Sequence, residues 1–410
     1  MPKIKKIKEV YLDHAATTYT DKEVVKAMLP YFTENYGNPS SLYHKGREAN
    51  GALNDARRTI AKLINALPEN IIFTGGGSES DNLAVYGIAY AHGGKGKHII
   101  TTAIEHHAVL HPLEDLQKQG FEVTYLKVDE EGFVKVEDVV KAIRPDTILV
   151  SVMYANNEVG TIEPIAEIGR EILKYRQENK TIYPYFHTDA CQAAGAVALD
   201  VEKLHVDLMT VNGSKIYGPK GTGILYLRRG VRPKPQILGG GQERRLRAGT
   251  ENVPGIIGFT KAFELAQQNC EQESARLQGL TTYLWKELQA KIPKIKLNGP
   301  EIGEKRLPNN LNVTFIDVEG EAMLLYLDEY GVMCSTGSAC TSESLDPSHV
   351  LLAMGLPYEF SHGSLRFTFG HCNTKDDVDY MMSFLPEVIK QLREISPVNI
   401  GVVKHAKYKA

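Results

Sequence analysis

The feature that most restricts the fold is an alternation of short apolar runs with amphipathic stretches between about residues 20 and 260. Strand-like runs occur at 71–73, 98–100, 123–126 and 148–152, and helical periodicity fills the intervals between them. This alternation favours a mainly parallel sheet with helices on both faces. Ligands of such open sheets bind at the carboxyl ends of the strands. We therefore expect binding residues directly after the apolar runs.

The rest of the chain predicts a second, smaller region. A long helical segment is expected from about 253 to 290, with charged residues on its polar face. Beyond it, strand-like runs at 311–315 and 364–369 bracket helical stretches, an order typical of an α+β domain. Residues 402–410 have the composition of a loose basic tail. With 410 residues, of which 42% are hydrophobic, the chain can form two cores.

Charge, apolar runs and cysteines argue against several classes of protein. The formal net charge of -3 gives no electrostatic reason to expect nucleic acid or a membrane as a partner. No apolar run approaches eighteen residues, and no apolar segment follows the basic start at 1–8. The five cysteines are few and widely spaced, which fits reduced thiols. We expect a soluble cytoplasmic protein.

A lysine in a glycine-bounded turn is the strongest chemical signal. Lys215 follows the apolar run 207–211, and Asp189 follows the run 182–186. A lysine amine can hold an aldehyde as a Schiff base, and a buried carboxylate can keep a pyridine nitrogen protonated. The pair therefore suggests a site for pyridoxal 5'-phosphate. Lys220 is the competing lysine, and an ordinary surface lysine is the plain alternative.

A glycine turn supplies a candidate phosphate site. The strand at 71–73 is followed by three glycines at 75–77, by Ser78 and by a helical stretch. Backbone amides at such a helix start can hold an anion. The turn matches neither the dinucleotide fingerprint nor the Walker loop, and glycine turns are often purely structural. Combined with Lys215 and Asp189, it predicts a single cofactor pocket.

Adjacent histidines follow another strand end. His106 or His107 could stack on a cofactor ring and exchange protons near neutral pH. His107 and His111 have the spacing of a zinc-binding pair, but no third ligand stands at a convincing distance in the sequence. No metal site is expected.

A small, polar, glycine-containing stretch at about 334–346 is typical of an exposed loop. Cys340 lies within it, and such neighbours are unusual for a buried structural cysteine. Cys340 is therefore the candidate thiolate nucleophile. Inert thiols are expected for the other four cysteines, Cys191, Cys270, Cys334 and Cys372.

Several motifs spread along the chain occur together in one known family. They lie at residues 11–18, 37–41, 105–109, 156–160, 212–221, 247–250 and 337–342. Jointly they resemble the cysteine desulfurases of the class V aminotransferase group, in the NifS/IscS-like branch with a long catalytic loop. The resemblance covers nearly the whole chain.

The resemblance implies the pyridoxal phosphate-dependent transferase fold type I. This α/β fold has a mainly parallel seven-stranded sheet in a large domain, expected at 15–262. Residues 1–14 and 263–396 would form a smaller α+β domain that carries the cysteine loop, with a C-terminal tail at 397–410. A homodimer is also implied.

Roles for individual residues follow from the same resemblance. Lys215 would bind the cofactor, Asp189 would pair with its ring nitrogen, and His106 would stack on the ring and assist proton transfer. His106 is preferred to His107 through this comparison alone. The further residues implied are, for the cofactor, Gly77, Ser78, Asn157, Gln192, Asn212, Ser214 and Thr250 of the second subunit, and, for the substrate carboxylate, Asn157, Arg366 and more weakly Asn38.

One residue departs from the family pattern. Ser214 precedes the lysine where the family usually has histidine. A serine hydroxyl can donate a hydrogen bond to phosphate, but it carries no positive charge. We therefore expect weaker cofactor binding, or a greater share for Asn212 and Ser78.

The implied reaction converts L-cysteine to L-alanine. Cys340 would take the sulfur as a persulfide and pass it to an acceptor, such as a scaffold protein for iron-sulfur cluster assembly. Three alternatives stay open. The chain could be a selenocysteine lyase, a class V transaminase that does not need Cys340, or a catalytically weak homologue that acts as a scaffold, which Ser214 makes conceivable.

Overall fold

The computed structural model describes residues 7–336 and 347–395. Its strands are, in chain order, β1 (Val10–Tyr11), β2 (Ile71–Thr74), β3 (His98–Thr102), β4 (Glu122–Leu126), β5 (Thr147–Ser151), β6 (Tyr185–Asp189), β7 (Leu208–Asn212), β8 (Gly223–Leu227), β9 (Ile295–Asn298), β10 (Asn310–Phe315), β11 (Val332–Met333) and β12 (Ser364–Thr368).

The α-helices alternate with these strands through the first two thirds of the chain. They are α1 (Lys22–Met28), α2 (Pro30–Thr33), α3 (His44–Leu63), α4 (Gly77–His92), α5 (His107–Lys118), α6 (Val136–Ala142), α7 (Ile165–Asn179), α8 (Val201–Leu204), α9 (Val253–Gln268), α10 (Cys270–Lys291), α11 (Gly320–Glu329), α12 (His349–Ala353), α13 (Tyr358–Ser361), α14 (Lys375–Met382) and α15 (Leu385–Ile395). None of the helices in the described part of the chain is both long and apolar enough to cross a membrane.

A seven-stranded sheet forms the centre of the larger part, with the strand order β2-β8-β7-β6-β5-β3-β4. The pairs among β3, β4, β5, β6 and β7 are parallel, whereas β8 runs antiparallel to both β2 and β7. The prediction of a mainly parallel seven-stranded α/β sheet is confirmed. The four strands first inferred from apolar runs all appear, each displaced or extended by at most two residues.

Apolar side chains cover both faces of this sheet. In β2, Ile71 and Phe73 belong to one buried cluster, whereas the intervening Ile72 belongs to a second cluster on the opposite face. The same alternation occurs in β6, where Phe186 and Tyr185 belong to different clusters. Burial on both faces explains why these strands are nearly continuous apolar runs in the sequence.

The segment expected at 253–290 is helical, but it consists of two helices instead of one. α9 ends at Gln268 and α10 begins at Cys270, with Asn269 between them. Phe259 and Phe263 of α9 pack into the core of the large sheet, while Leu284 and Leu288 of α10 pack into a separate core. Each helix is amphipathic toward a different core, and an asparagine, which is unfavourable inside helices, stands at the break.

The smaller part contains a three-stranded antiparallel sheet with the order β12-β10-β9 and a short parallel pair, β1 with β11. Its core includes Val10 and Leu12 from the start of the chain, and then residues from Leu277 onward. The large-sheet core extends to Phe263 in α9 and also includes Leu307, which lies between β9 and β10. The domain bounds at 14/15 and 262/263 stay a prediction, and the tail at 397–410 lies outside the described residues.

Candidate functional site

A cavity of about 490 Å³ lies where several strands of the large sheet end. Its walls include Gly77 after β2, Met153 after β5, Asp189 at the end of β6 and Lys215 after β7. These are the carboxyl ends of β2, β5, β6 and β7, and ligands of open α/β sheets bind at such ends. The cavity therefore has the position expected of a ligand site.

Most of the predicted site residues line this one cavity. They are Gly77, Ser78, His106, Asn157, Asp189, Gln192, Asn212, Ser214, Lys215 and Arg366. Thr250 and Asn38 are exposed and are not among the lining residues. The Asn38 side chain instead accepts a hydrogen bond from the amide of Ser40 at 2.9 Å. Cys340 lies outside the described residues.

The turn after β7 holds Lys215 at the cavity. The amide of Gly218 donates to the carbonyl of Gly213 at 2.9 Å, which closes the turn. A β-carbon on Gly213 would lie 2.5 Å from Oγ1 of Thr222, so glycine is required by packing. The Lys215 ammonium donates to the carbonyl of Ala16. The turn therefore presents the lysine to the cavity from a compact backbone.

Lys220, the competing lysine, lies elsewhere. It is exposed, does not line the cavity, and donates to the carbonyl of Thr18 at 2.5 Å. The geometry therefore favours Lys215 over Lys220 as the lysine that meets a ligand.

Asp189 is the last residue of β6 and is 7% exposed. Its Oδ1 accepts a hydrogen bond from the amide of Cys191 at 2.9 Å, which fixes the carboxylate at the cavity wall. Nearby, the Gln192 side chain donates to the carbonyl of Ala15 at 2.9 Å. The acid therefore stands at a strand end with its orientation set by the following turn.

His106 caps the N-terminus of α5. Its Nδ1 accepts a hydrogen bond from the amide of Ala108 at 3.1 Å. In the neutral ring this bond places the proton on Nε2. Burial lowers the pKa of His106 below its ordinary value of 6.5, with Lys215 acting in the same direction and Asp189 against it. His106 therefore lines the cavity as a mainly neutral imidazole near pH 7.

The glycine turn brings a helix start to the cavity. α4 begins at Gly77, and the preceding Gly76 has φ of 143°, a value that favours glycine. A β-carbon on Gly77 would lie 2.9 Å from Sγ of Cys191 and 3.1 Å from Nδ2 of Asn212. The first amides of a 16-residue helix, which lack partners within the helix, therefore adjoin the cavity and can receive an anion.

Arg366 forms a buried, positively charged part of the wall. Its side chain is 2% exposed. Nη1 donates to the carbonyl of Asn157 at 3.0 Å, and Nη2 donates to Oδ1 of Asp13 at 2.8 Å. Nε is buried and has no hydrogen-bond partner among the described residues. A carboxylate ligand could use such a guanidinium, because its flat fork matches two carboxylate oxygens.

Sequence reasoning missed buried acids that surround the cavity. Asp81 and Glu158 line it, and Glu105 is buried beside it. Burial raises the pKa of Glu158 to about 7 and that of Glu105 to about 8. The only signal available was that Glu105 and Glu158 belong to recognisable motifs next to strand ends. Nothing in the residue pattern distinguishes a buried acid from an exposed one.

His107 and His349 line the cavity, and the ring of His107 packs against those of His111 and His349. The rings of His107 and His111 are 4.7 Å apart and nearly parallel, and those of His107 and His349 are 4.8 Å apart. Nε2 of His349 lies 3.0 Å from the carbonyl of Glu105. Within residues 7–336 and 347–395, no group of three or more His, Cys, Asp or Glu side chains could hold a metal ion.

A lysine, a buried carboxylate, a neutral imidazole and a helix start surround one cavity at the strand ends of a seven-stranded sheet. Fold and site together define a class, the fold type I enzymes that use pyridoxal phosphate.

Comparison with known proteins narrows this class. The chain belongs to the class-V aminotransferase family, whose model matches residues 10–381. It is 55% identical over 402 residues to the cysteine desulfurase IscS of Clostridium botulinum strain Hall, covering 98% of this chain and 100% of that protein. It is 54% identical over 391 residues to the IscS of Methanosarcina thermophila, covering 95% and 94% of the two chains.

A solved structure of a NifS-like protein has the same fold. It superposes with a TM-score of 0.87 at 37% identity and covers 94% of this chain and 100% of that chain. The family resemblance inferred from the motifs is confirmed.

Proposed function

We propose that this chain is a pyridoxal phosphate-dependent cysteine desulfurase, which converts L-cysteine to L-alanine and receives the sulfur on Cys340. The observation that carries the proposal is the single cavity that unites Lys215, Asp189, His106 and the start of α4. The identity to IscS cysteine desulfurases over nearly the full chain supports the same activity.

The cavity residues fit the chemically distinct ends of pyridoxal phosphate. Lys215 offers an amine for the aldehyde, and Asp189 offers a carboxylate for the pyridine nitrogen. The amides of Gly77 and Ser78 offer an anion site, and a side chain at position 77 would fill the space beside Cys191. Oδ1 of Asn212 is buried at this wall without a hydrogen-bond partner in the described part of the chain.

When bound, the cofactor would supply an electron sink that makes the α-proton of the substrate acidic. Lys215 would hold that proton on Nζ and return it, because its amine is the base presented to the cavity. Asp189 would keep the positive charge on the ring nitrogen. His106 would exchange a proton at Nε2, since its Nδ1 is occupied by the amide of Ala108.

Arg366 and Asn157 would hold the carboxylate of L-cysteine. The guanidinium is already oriented by the Asn157 carbonyl and by Asp13. A charged hydrogen bond at such a buried position contributes about 1.5–3 kcal/mol. Asn38 is a weaker part of this proposal, because it is exposed and its side chain bonds to Ser40.

Cys340 belongs to a segment whose two flanks are attached to the cavity wall. Before it, the amide of Arg366 donates to the carbonyl of Ser335 at 2.6 Å. After it, the hydroxyl of Ser348 donates to Glu158. The Cys340 thiolate would attack the substrate sulfur, forming an S–S bond as the C–S bond breaks. The carbon side keeps the electron pair and is protonated, which releases L-alanine and leaves a persulfide on Cys340.

The proposal includes a homodimer in the cytoplasm that transfers sulfur to an acceptor, such as an iron-sulfur scaffold protein. Thr250 does not line the cavity of its own chain, so its implied phosphate contact requires a second subunit. Large apolar side chains exposed near the N-terminal helices support a protein-covered surface: Leu29, Phe32, Tyr36, Leu42 and Tyr43.

The test compares the wild type with Cys340→Ala, with Cys372→Ala as the matched control, since Cys372 is an exposed thiol outside the cavity. Alanine and sulfide are measured from L-cysteine with a thiol reductant. We expect equal molar products in the wild type and the control, and no product in Cys340→Ala. Full alanine production by Cys340→Ala would contradict the proposal, and a requirement for a 2-oxo acid would identify a transaminase. Comparing the turnover of selenocysteine with that of L-cysteine decides whether the chain is instead a selenocysteine lyase.

A further inference from the structure

A second carboxyl group lies beside Asp189 at the cavity wall. Asp81, in the second turn of α4, lines the same cavity, and its side chain is 2% exposed. Its Oδ1 is buried without a hydrogen-bond partner among the described residues. A buried carboxyl group without a partner for one oxygen is costly, so this residue calls for a physical explanation. The proposed reaction gives it no role.

Asp81 lies near three buried polar side chains on the adjacent strands β5, β6 and β7, namely Ser151, His187 and Thr210. His187 precedes Asp189 by two residues in β6, and its side chain therefore points to the same face of the sheet. Its Nδ1 lies 2.9 Å from Oγ of Ser151, its Nε2 lies 3.1 Å from Oγ1 of Thr210, and the same Nε2 lies 3.6 Å from Oδ1 of Asp81. Thr210 is the cross-strand partner of Asp189.

The charges around Asp81 oppose its ionisation. Burial and then the charge of Asp189 raise the pKa of Asp81 well above its ordinary value of 3.8, against a hydrogen bond with Thr210. Burial lowers the pKa of His187 to about 4, so this ring is neutral near pH 7 and provides no compensating cation. Holding two charged carboxylates in one buried site has a high free-energy cost, so one of them tends to keep its proton.

We propose that Asp81 is a positioning residue that stays neutral beside His187 and Thr210, so that Asp189 is the one anionic carboxylate at the ring-nitrogen end of the cofactor site. The inference rests on the proposed use of pyridoxal phosphate. The two acids would then have different roles. Asp189 carries the negative charge that pairs with the cofactor, whereas Asp81 fills space and forms a hydrogen bond beside His187 and Thr210. Asparagine has nearly the same shape as a protonated aspartic acid and should therefore replace Asp81 but not Asp189.

The first experiment measures binding of pyridoxal phosphate to the apoprotein by the quenching of protein fluorescence. We expect Asp81→Asn to bind within about twofold of the wild type and Asp189→Asn to bind at least about tenfold more weakly, because only the latter removes an ionic partner. Asp81→Ala should weaken binding, and Asp81→Asn should restore it. If Asp81→Asn loses binding as severely as Asp189→Asn, Asp81 carries the charge and the proposal is wrong.

The second experiment needs no cofactor. Because the folded protein binds a proton at Asp81 that the unfolded chain releases above pH about 3.8, this group lowers stability as the pH rises. The Tm of apo Asp81→Asn minus that of the wild type should therefore grow between pH 4 and pH 8. Ser80→Ala is the control in the same helix. It removes a buried 2.7 Å contact with Thr74 of β2 and should give a Tm difference that does not change with pH.

The two experiments test the proposed function and the neutral state of Asp81 separately. A wild-type apoprotein that does not bind pyridoxal phosphate would overturn the proposed function, while the pH dependence of the Tm would still report on Asp81. A Tm difference for Asp81→Asn that stays flat from pH 4 to pH 8 would overturn the neutral state of Asp81, whatever the cofactor does.

Discussion

Nη2 of Arg366 lies 2.8 Å from Oδ1 of Asp13, a residue 353 positions away in the chain. Arg366 is almost fully buried, and Asp13 is 17% exposed at its side chain. The pair joins the start of the chain to β12 at the cavity wall. A buried guanidinium needs such a partner, because an unpaired buried charge costs several kcal/mol.

The first prediction concerns this arginine. Arg366→Gln removes the charge but keeps a hydrogen-bond donor, so we expect the KM for L-cysteine to rise by about 10–100-fold, as loss of a charged hydrogen bond implies. The visible absorbance of the bound cofactor should not change. Steady-state kinetics and an absorbance spectrum check both expectations. An unchanged KM would show that Arg366 does not bind the substrate carboxylate.

Lysine substitutions provide the second prediction. Lys215→Ala should lose the visible absorbance of the cofactor and reduce turnover by about 10²–10⁴-fold or more, since it removes the proton-transfer amine. Lys220→Ala is the matched control, because Lys220 bonds to Thr18 and does not line the cavity. It should keep both the absorbance and the turnover. Loss of absorbance in the control alone would reverse the assignment of the two lysines.

Local sequence signals predicted the residues whose positions depend on local structure. Asp189 is the last residue of β6 and Lys215 follows β7, and strand ends are visible as the ends of apolar runs. Gly77 was predictable because it joins a strand to a helix. Such features arise within about ten residues of chain, so periodicity and turn residues are sufficient to predict them.

Features that depend on distant packing were not predictable in the same way. The pair of Asp13 and Arg366, and the burial of Asp81 beside Asp189, require elements far apart in the chain to meet. The break at Asn269 was missed because the apolar faces of both adjoining helices look alike in sequence, although they pack against different cores. Tertiary packing decided each of these features.

The third prediction concerns the pH dependence of stability. Burial raises the pKa of Glu158 from 4.5 to about 7, so the folded state holds a proton that the unfolded chain releases between these values. Stability is therefore lost as the pH rises from 4.5 through 7, and the shift corresponds to about 3 kcal/mol. Glu158→Gln should be more stable than the wild type at pH 8, with a smaller difference at pH 4.5.

Urea unfolding of the apoprotein at the two pH values measures this difference. Glu304→Gln is the control, since Glu304 is exposed and is not among the residues that line the cavity. It should change the free energy of unfolding by less than about 0.5 kcal/mol, as is usual for surface substitutions. An equal gain for Glu158→Gln at both pH values would mean that titration of Glu158 is not the cause.

The last prediction concerns Ser214, which lines the cavity immediately before Lys215. The family pattern has histidine there, and an imidazolium would add a charged hydrogen bond to the cofactor phosphate. Charged hydrogen bonds contribute about 1.5–3 kcal/mol against about 0.5–1.5 kcal/mol for neutral ones, so Ser214→His should bind pyridoxal phosphate about tenfold more tightly. Ser214→Ala should bind more weakly than the wild type. Titration of each apoprotein with the cofactor measures the order of the three affinities. The gain in affinity from histidine should shrink above pH 7, because the ring then loses its proton. If alanine and serine bind equally well, the Ser214 hydroxyl does not contact the phosphate, and Gly77, Ser78 and Asn212 must hold it without help from this turn.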